Sequence, residues 1–224
     1  MTRWEILNAF IAARGYTSFL EIGTDRGETF RHITCPVKVS VDPDPTTQAT
    51  FLMTSDEFFA QNHDRFDVIF IDGLHEKWQA LRDALSAIQH VTHNGVILMH
   101  DCLPTSYLMQ LHMAHPESSV LVKHHQAWTG DVWKAFLMIR LTCSFKTYVI
   151  DEDLGCGVID VSKQADRLCP TDMPEPESID DVSFNDYLMN RMEWMNVRTW
   201  KSVQEELEKE GEDNERKENG QAHI

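Results

Sequence analysis

A chain of 224 residues, 42% hydrophobic and 25% charged, is long enough for one domain with a full core, and this composition argues against a fibrous or disordered chain. Its formal charge of −16 argues against a nucleic-acid partner, because phosphate binding depends on clustered Lys and Arg that release counterions. The acidity is uneven: 16 of the 36 acids but only 7 of the 20 bases lie after residue 165, so the body is mildly acidic and the tail strongly so.

No apolar stretch reaches the roughly 18 residues that a spanning helix needs. The N-terminal "MTRWEILNAFIAARG" carries arginines and an early Glu instead of a signal-peptide core. The chain therefore reads as soluble and cytoplasmic, without a membrane partner. Cysteines at 35, 102, 143, 156 and 169 are odd in number and lack a CxxC pair or zinc spacing, so they read as reduced structural thiols.

In chain order, Thr2-x-x-Glu5 forms a capping box, and Ile6, Leu7, Phe10 and Ile11 recur at helical spacing until Gly15 stops the run. "TSFLEIG" is a nearly continuous apolar segment, as expected of a strand buried on both faces. "GETFRHI" opens a second helix, and "VKVSVD" is a strand closed by the prolines of "DPDP". Thr54-x-x-Glu57 caps a short helix, and "FDVIFID" is the most hydrophobic strand candidate. Trp78, Leu81, Leu85 and Ile88 then predict a helix with one apolar face running to Asn94-Gly95, followed by the strand "GVILMHD".

Residues 102–128 show no clear period and read as an irregular, partly helical excursion. "GDVWKAFLMIRL" is helical, and "FKTYVID" with "GCGVIDVSK" forms an antiparallel hairpin. The expectation is an α/β fold: a Rossmann-like, doubly wound, mostly parallel seven-stranded sheet with a C-terminal antiparallel hairpin, over residues 1–165. Residues 166–203 read as a linker and C-terminal helix, the helix spanning 184–203 with Trp194 and Trp200 as anchors. Residues 204–224 read as an acidic, disordered tail.

The stretch "SFLEIGTDRGETF" carries the first chemical signal. In a doubly wound sheet, ligands bind beyond the carboxyl ends of the strands. There Gly23 and Gly27 let the backbone approach a ligand closely, and Glu21 can accept hydrogen bonds or hold a cation. A pyrophosphate site would use G-x-G-x-x-G; E-x-G-x-x-x-G puts an acid beside the cradle and favours cationic or hydroxyl groups. Asp42, closing the next strand, is placed to take ribose hydroxyls.

In this order and spacing, "FLEIGTDRGETF", "VSVDP", "TSDEFF", "FDVIFIDGLH" and "GVILMHD" resemble the class I S-adenosylmethionine-dependent methyltransferases, particularly the small-molecule O-methyltransferases of the macrolide-sugar and catechol type. The resemblance covers about residues 17–163. It implies that Glu21, Gly23, Thr24 and Gly27 wrap the methionine part of S-adenosylmethionine, that Asp42 takes the ribose, that Ser55 and Asp56 lie by the adenine, and that Asp72 borders the same site.

Methyl transfer to a hydroxyl needs an aligned acceptor and a place for its proton. In the sugar O-methyltransferases that Asp72-Gly-Leu-His75 resembles, the Asp binds a divalent metal and the His is the base; a neutral His suits that task near pH 7. The alternative is that His75 merely opens the next helix. Beside it in the sheet, His100-Asp101-Cys102 departs from the relatives' pair of oxygen ligands: Asp101 matches a ligand, but His100 or Cys102 stands where a second oxygen is expected. With a metal, Mg²⁺ or Mn²⁺, the ligands would be Asp72, Asp101 and His100. Without one, His75 with Asp101 or His100 would deprotonate the acceptor.

In "TGDVWKAF", Asp131 and Trp133 either face the acceptor or serve as helix N-terminus and core. The histidines at 112, 115, 124 and 125 read as surface or lid, and the region with Met109, Met113 and Trp128 as the acceptor-selecting lid. The leading expectation is an S-adenosylmethionine-dependent O-methyltransferase acting on a small hydroxylated molecule such as a sugar or secondary metabolite, with His75 as base. The alternatives are a metal-independent N-methyltransferase and a cofactor-binding regulatory or scaffold protein. A homo-oligomer is compatible with the sequence, which does not fix the oligomeric state.

Overall fold

The computed structural model describes residues 1–117, 127–165 and 173–221. Helix α1 (Arg3–Arg14) is closed at its N-terminus by the Thr2–Glu5 capping box and at its C-terminus by Gly15 in the left-handed region. It leads into β1 (Ser18–Ile22), α2 (Glu28–His32), β2 (Val37–Val41) and α3 (Ser55–Gln61), which the Thr54–Glu57 capping box opens. Next come β3 (Phe66–Ile71), α4 (Lys77–His90), β4 (Val91–Met99), α5 (Val132–Thr142), β5 (Phe145–Ile150) and β6 (Cys156–Gln164). A 3-10 turn (Pro176–Asp181), α6 (Phe184–Trp194), β7 (Val197–Arg198) and α7 (Trp200–Gln221) follow.

The sheet order is β2-β1-β3-β4-β6-β5-β7. The first four strands are parallel, β6 runs antiparallel to both β4 and β5, and β7 lies parallel to β5 at the edge. The expected α/β sheet with its closing hairpin is therefore present. Successive residues of each central strand serve opposite faces: Leu20, Ile69 and Ile97 join one buried cluster, while Phe19, Val68 and Val96 join the other. Helices α3, α4, α5 and α6 cover the first face, and α1 and α7 cover the second.

Four expectations change. On α4 the buried face is Ala80, Ala84 and Ala87, with Asp83, whereas Trp78 and Leu85 are about half exposed. Alanines let the helix lie close on the sheet, and the bulky stripe one-third of a turn away forms its rim. The helix also stops at His90, and Asn94-Gly95 lies inside β4 at an irregularity in its pairing with β3. Finally, residues 184–203 are not one helix, because Asn196 takes a left-handed conformation and turns the chain into β7. The acidic tail is helical to residue 221, docked on α1 through Val203 and Leu207.

Among the described residues no helix is long and apolar enough to cross a membrane. Cys35, Cys102, Cys143 and Cys156 are free thiols, and Cys169 lies outside the described residues.

Candidate active site

The site forms where β1, β3 and β4 end. Gly23 has φ +88, and a Cβ on it would stand 2.2 Å from the carbonyl oxygen of Asp72, so only glycine lets the first loop meet the end of β3. Gly27, at φ +67, caps α2. The Asp42 carboxylate accepts hydrogen bonds from the amides of Thr24 and Asp25 at 2.9 Å and from that of Asp44 at 2.9 Å. Asp42 thus ties the glycine loop to the loop after β2 while its remaining lone pairs face the cleft. Glu21 is buried at the end of β1, and that burial, with Asp72 adding to it, pushes its carboxyl up to about 8.

These loops border a cavity of about 420 Å³, within the range of small-molecule sites. Gly23, Asp42, Asp72 and Gly73 line its inner part; Ser55 and Asp56 from α3, and Gln79 and Asp83 from α4, line the other end. Glu21 Oε2 and Thr24 Oγ1 are buried without a hydrogen-bond partner within the protein. An orphaned carboxyl oxygen and hydroxyl beside a glycine cradle fit a ligand bearing an amine and hydroxyls.

Next to the cavity lies a compact group of acids and imidazoles. His75 Nε2 is 3.4 Å from Asp72 Oδ1 and 3.2 Å from Asp101 Oδ2, and its Nδ1 is 3.3 Å from the carbonyl oxygen of Trp128. His100 Nδ1 lies 3.2 Å from Asp72 Oδ1 and 3.3 Å from Asp101 Oδ2, with Nε2 3.6 Å from Asp153 Oδ1. Burial opposes charge on both rings, yet the neighbouring carboxylates raise both, and His100 stays protonated well above the ordinary histidine range. Burial would likewise raise Asp72, but His100 and His75 hold its carboxyl well below the usual range. Asp101 sits at φ +61, a backbone strain that Asp tolerates and that aims its carboxylate back over the strand ends.

The ligand atoms of Asp72, His75 and Asp101 lie within 4.8 Å of one another, close enough to share a divalent ion. His75, read from the sequence as the base, stands in this set, and His100, read as a ligand, has its Nδ1 as close to the same two carboxylates. The donor set of two carboxylates and one imidazole, with Asp101 Oδ1 buried and unpartnered, fits a divalent ion that accepts imidazole better than it fits Mg²⁺.

The "TGD" turn now has a place. Gly130 packs so closely on the backbone of His75 that a Cβ would overlap its carbonyl oxygen. Asp131 Oδ1 accepts the amide of Lys77 at 2.6 Å, capping α4 from outside, since Glu76 provides no side-chain cap. Trp133 is fully buried against Tyr187, so it belongs to the core and not to an acceptor pocket. Trp128 Nε1 donates to the carbonyl of Leu111 at 2.8 Å, and the amides of Thr129 and Gly130 donate to that of Met109, which ties residues 109–111 to the turn beside His75. His124 and His125 lie outside the described residues.

Sequence reasoning missed several contributors. Arg3 of α1 donates to Thr29 Oγ1 at 2.8 Å and lies 3.5 Å from Asp72 Oδ2, and Asp153 arrives from the β5–β6 turn. Neither carries a local signal. Asp83 was hidden differently: the stripe of Trp78, Leu81, Leu85 and Ile88 puts it on the face that reads as solvent, whereas it is buried.

Residues 20–102 match the model of a family described as a methyltransferase domain. Among solved structures, an O-methyltransferase from Bacillus cereus in complex with S-adenosylhomocysteine is 12% identical, with a TM-score of 0.51 over 70% of this chain and 80% of that one. The S-adenosylhomocysteine-bound methyltransferase PaMTH1 from Podospora anserina is 12% identical, with a TM-score of 0.52 over 74% of this chain and 80% of that one. The O-methyltransferase TomG from Streptomyces achromogenes, in complex with S-adenosylmethionine, is 14% identical, with a TM-score of 0.51 over 71% and 79%. At such identities the likeness is one of fold. A search of curated protein sequences finds no match. The matched methyltransferase domain thus runs from the first strand through Cys102, and the fold of these solved structures extends over 70–74% of the chain.

Proposed function

We propose that this chain methylates a hydroxyl oxygen of a small molecule, of the sugar or secondary-metabolite kind, with His75 receiving the acceptor's proton. The observation that carries the reading is the placement of His75 Nε2 between Asp72 and Asp101, while Nδ1 meets the carbonyl of Trp128. With Nδ1–H donating to that carbonyl, Nε2, beside the carboxylates of Asp72 and Asp101, is the ring atom that would take the proton. Two carboxylates then stabilise the imidazolium once the proton arrives. The names of the Bacillus and Streptomyces structures, both O-methyltransferases, support oxygen as the target.

When bound, S-adenosylmethionine supplies an electrophilic methyl group on a sulfonium. Glu21 and Thr24 would hold its amino-acid part, Asp42 its ribose and Ser55 with Asp56 its adenine, while Gly23 and Gly27 let the backbone close around it. The segments at Met109 and Trp128 would keep water from the acceptor. A second reading rests on the grouped ligand atoms: Asp72, His75 and Asp101 would hold a divalent ion that lowers the pKa of the acceptor hydroxyl.

The test is turnover with a panel of hydroxylated acceptors, products identified by mass spectrometry, in EDTA and in Mn²⁺. Activity in EDTA that falls about 10²- to 10⁴-fold in His75→Gln supports the base. Activity restored from EDTA by Mn²⁺ supports the ion. Methylated nitrogen, or undiminished turnover in His75→Gln, sinks the first reading.

A further inference from the structure

Asp83 is the one acid on the sheet-facing stripe of α4 and is 1% exposed. It lines the cofactor cavity at the end formed by α3 and α4. An ionised carboxylate offers about four acceptor positions. The protein supplies Asp83 with the Gln79 amide at 2.9 Å and the Ser55 hydroxyl, and burial pushes its carboxyl up, as expected for an acid short of donors.

Its one amide partner is itself oversubscribed. Gln79 Nε2 also lies 3.1 Å from Ser55 Oγ and 3.3 Å from Asp56 Oδ1, so three oxygens share two N–H groups. Arg82 reaches this end too, but on its exposed side, pairing with Asp56 at 3.6 Å and with the Gln79 carbonyl. The buried side is left to Asp83, whose Oδ2 lies 3.8 Å from where a Cβ on Gly73 would stand. Glycine there leaves open the space in front of the carboxylate. This end of the cavity is therefore rich in acceptors and short of donors, which suits a group that brings its own N–H.

We propose that Asp83, held by Gln79, recognises the exocyclic amine of the cofactor's adenine and so selects an amino-purine over an oxo-purine. The proposal rests on the cofactor reading above and adds a specificity-determining residue from α4 to the α3 residues that the sequence points to. An oxo-purine would set its carbonyl oxygen against a buried carboxylate, leaving both unpaired.

The experiment is calorimetric titration of the full chain with S-adenosylhomocysteine and with its inosine counterpart, in which the amine is replaced by a carbonyl. The native chain is expected to prefer the adenine ligand by about 10- to 100-fold, the range that one hydrogen bond to a buried charged group supports. Asp83→Asn, which can donate to a carbonyl, is expected to reduce that preference to within about threefold. Asp83→Ala, which removes the acceptor without adding a donor, takes its place if the Asn variant does not fold. Equal affinity of the native chain for the two ligands, or an unchanged preference in the variant, overturns the proposal and leaves the cofactor reading standing. No binding of S-adenosylhomocysteine by the native chain overturns both.

Discussion

Gly130 and His75 meet backbone to backbone: a Cβ on Gly130 would come within 1.8 Å of the carbonyl oxygen of His75, and Gly130 has φ +57. Gly130→Ala therefore faces both a left-handed conformation and a collision. It is expected to cost more than about 1 kcal/mol of stability. Turnover should fall further than folded fraction explains, because the turn that carries the Trp128 carbonyl must move off His75. Thermal melts beside kcat at saturating substrate check this, and a stable, fully active variant contradicts it.

Gly23→Ala is expected to weaken S-adenosylhomocysteine binding by at least about 100-fold, since the added carbon has nowhere to go but into the backbone of Asp72 and Gly73. The check is calorimetry on protein whose circular dichroism is unchanged. Affinity within threefold of native would mean the cofactor does not use this cradle.

Asp160 is buried against Arg14 at 2.6 Å. Burial alone would raise its carboxyl, but Arg14 and Ser162 hold it below the ordinary value near 3.8. A carboxyl lowered on folding contributes fully above its unfolded pKa and loses that contribution as pH falls through the folded one. Asp160→Asn is expected to cost about 1.5–3 kcal/mol at pH 7, because Arg14 loses its charged buried partner but keeps Glu210 at 2.8 Å. Below about pH 4 the native chain loses this advantage and the gap between the two narrows. Urea denaturation from pH 7 to pH 3 measures both, and a gap constant with pH would show that the pair contributes nothing through ionisation.

Gly211 lies within α7, where a Cβ would find only ordinary contacts with Ala13 at 3.7 and 3.8 Å. Gly211→Ala is expected to stabilise the protein by about 0.5–1 kcal/mol through helix propensity. A loss of stability on urea denaturation would place α7 closer to α1 than these distances allow.

The strands were legible in the sequence because each is buried on both faces and reads as an unbroken apolar run, from "SFLEI" to "FDVIFI". The glycines and acids of the site were legible because they end those strands. On α4 two stripes share one helical period, and bulk favoured Trp78 and Leu85 over the alanines that meet the sheet. The break between α6 and α7 rests on the left-handed Asn196, a single residue whose preference for turns was outweighed by the tryptophans on either side. Arg3 and Asp153 were invisible for a different reason: the backbone amide of Arg3 donates to Asp153 Oδ2 at 2.7 Å across 150 residues, a pairing no local window contains.

The two-residue strand β7 lies between a helix packed on one face of the sheet and a helix packed on the other. The chain crosses back there, around the sheet's free edge, after α6 has joined Trp194 and Met195 to the first core and before Val203 and Leu207 enter the second. A single peptide-bond cleavage in this crossing would leave all of β1 to β6 intact. It would nevertheless turn the docking of α7 from an encounter at the high local concentration that a short tether maintains into an ordinary association that dilution reverses. Continuity at that edge is thus a concentration term: it keeps the acidic helix on α1 at dilutions where the contacts alone would let it go.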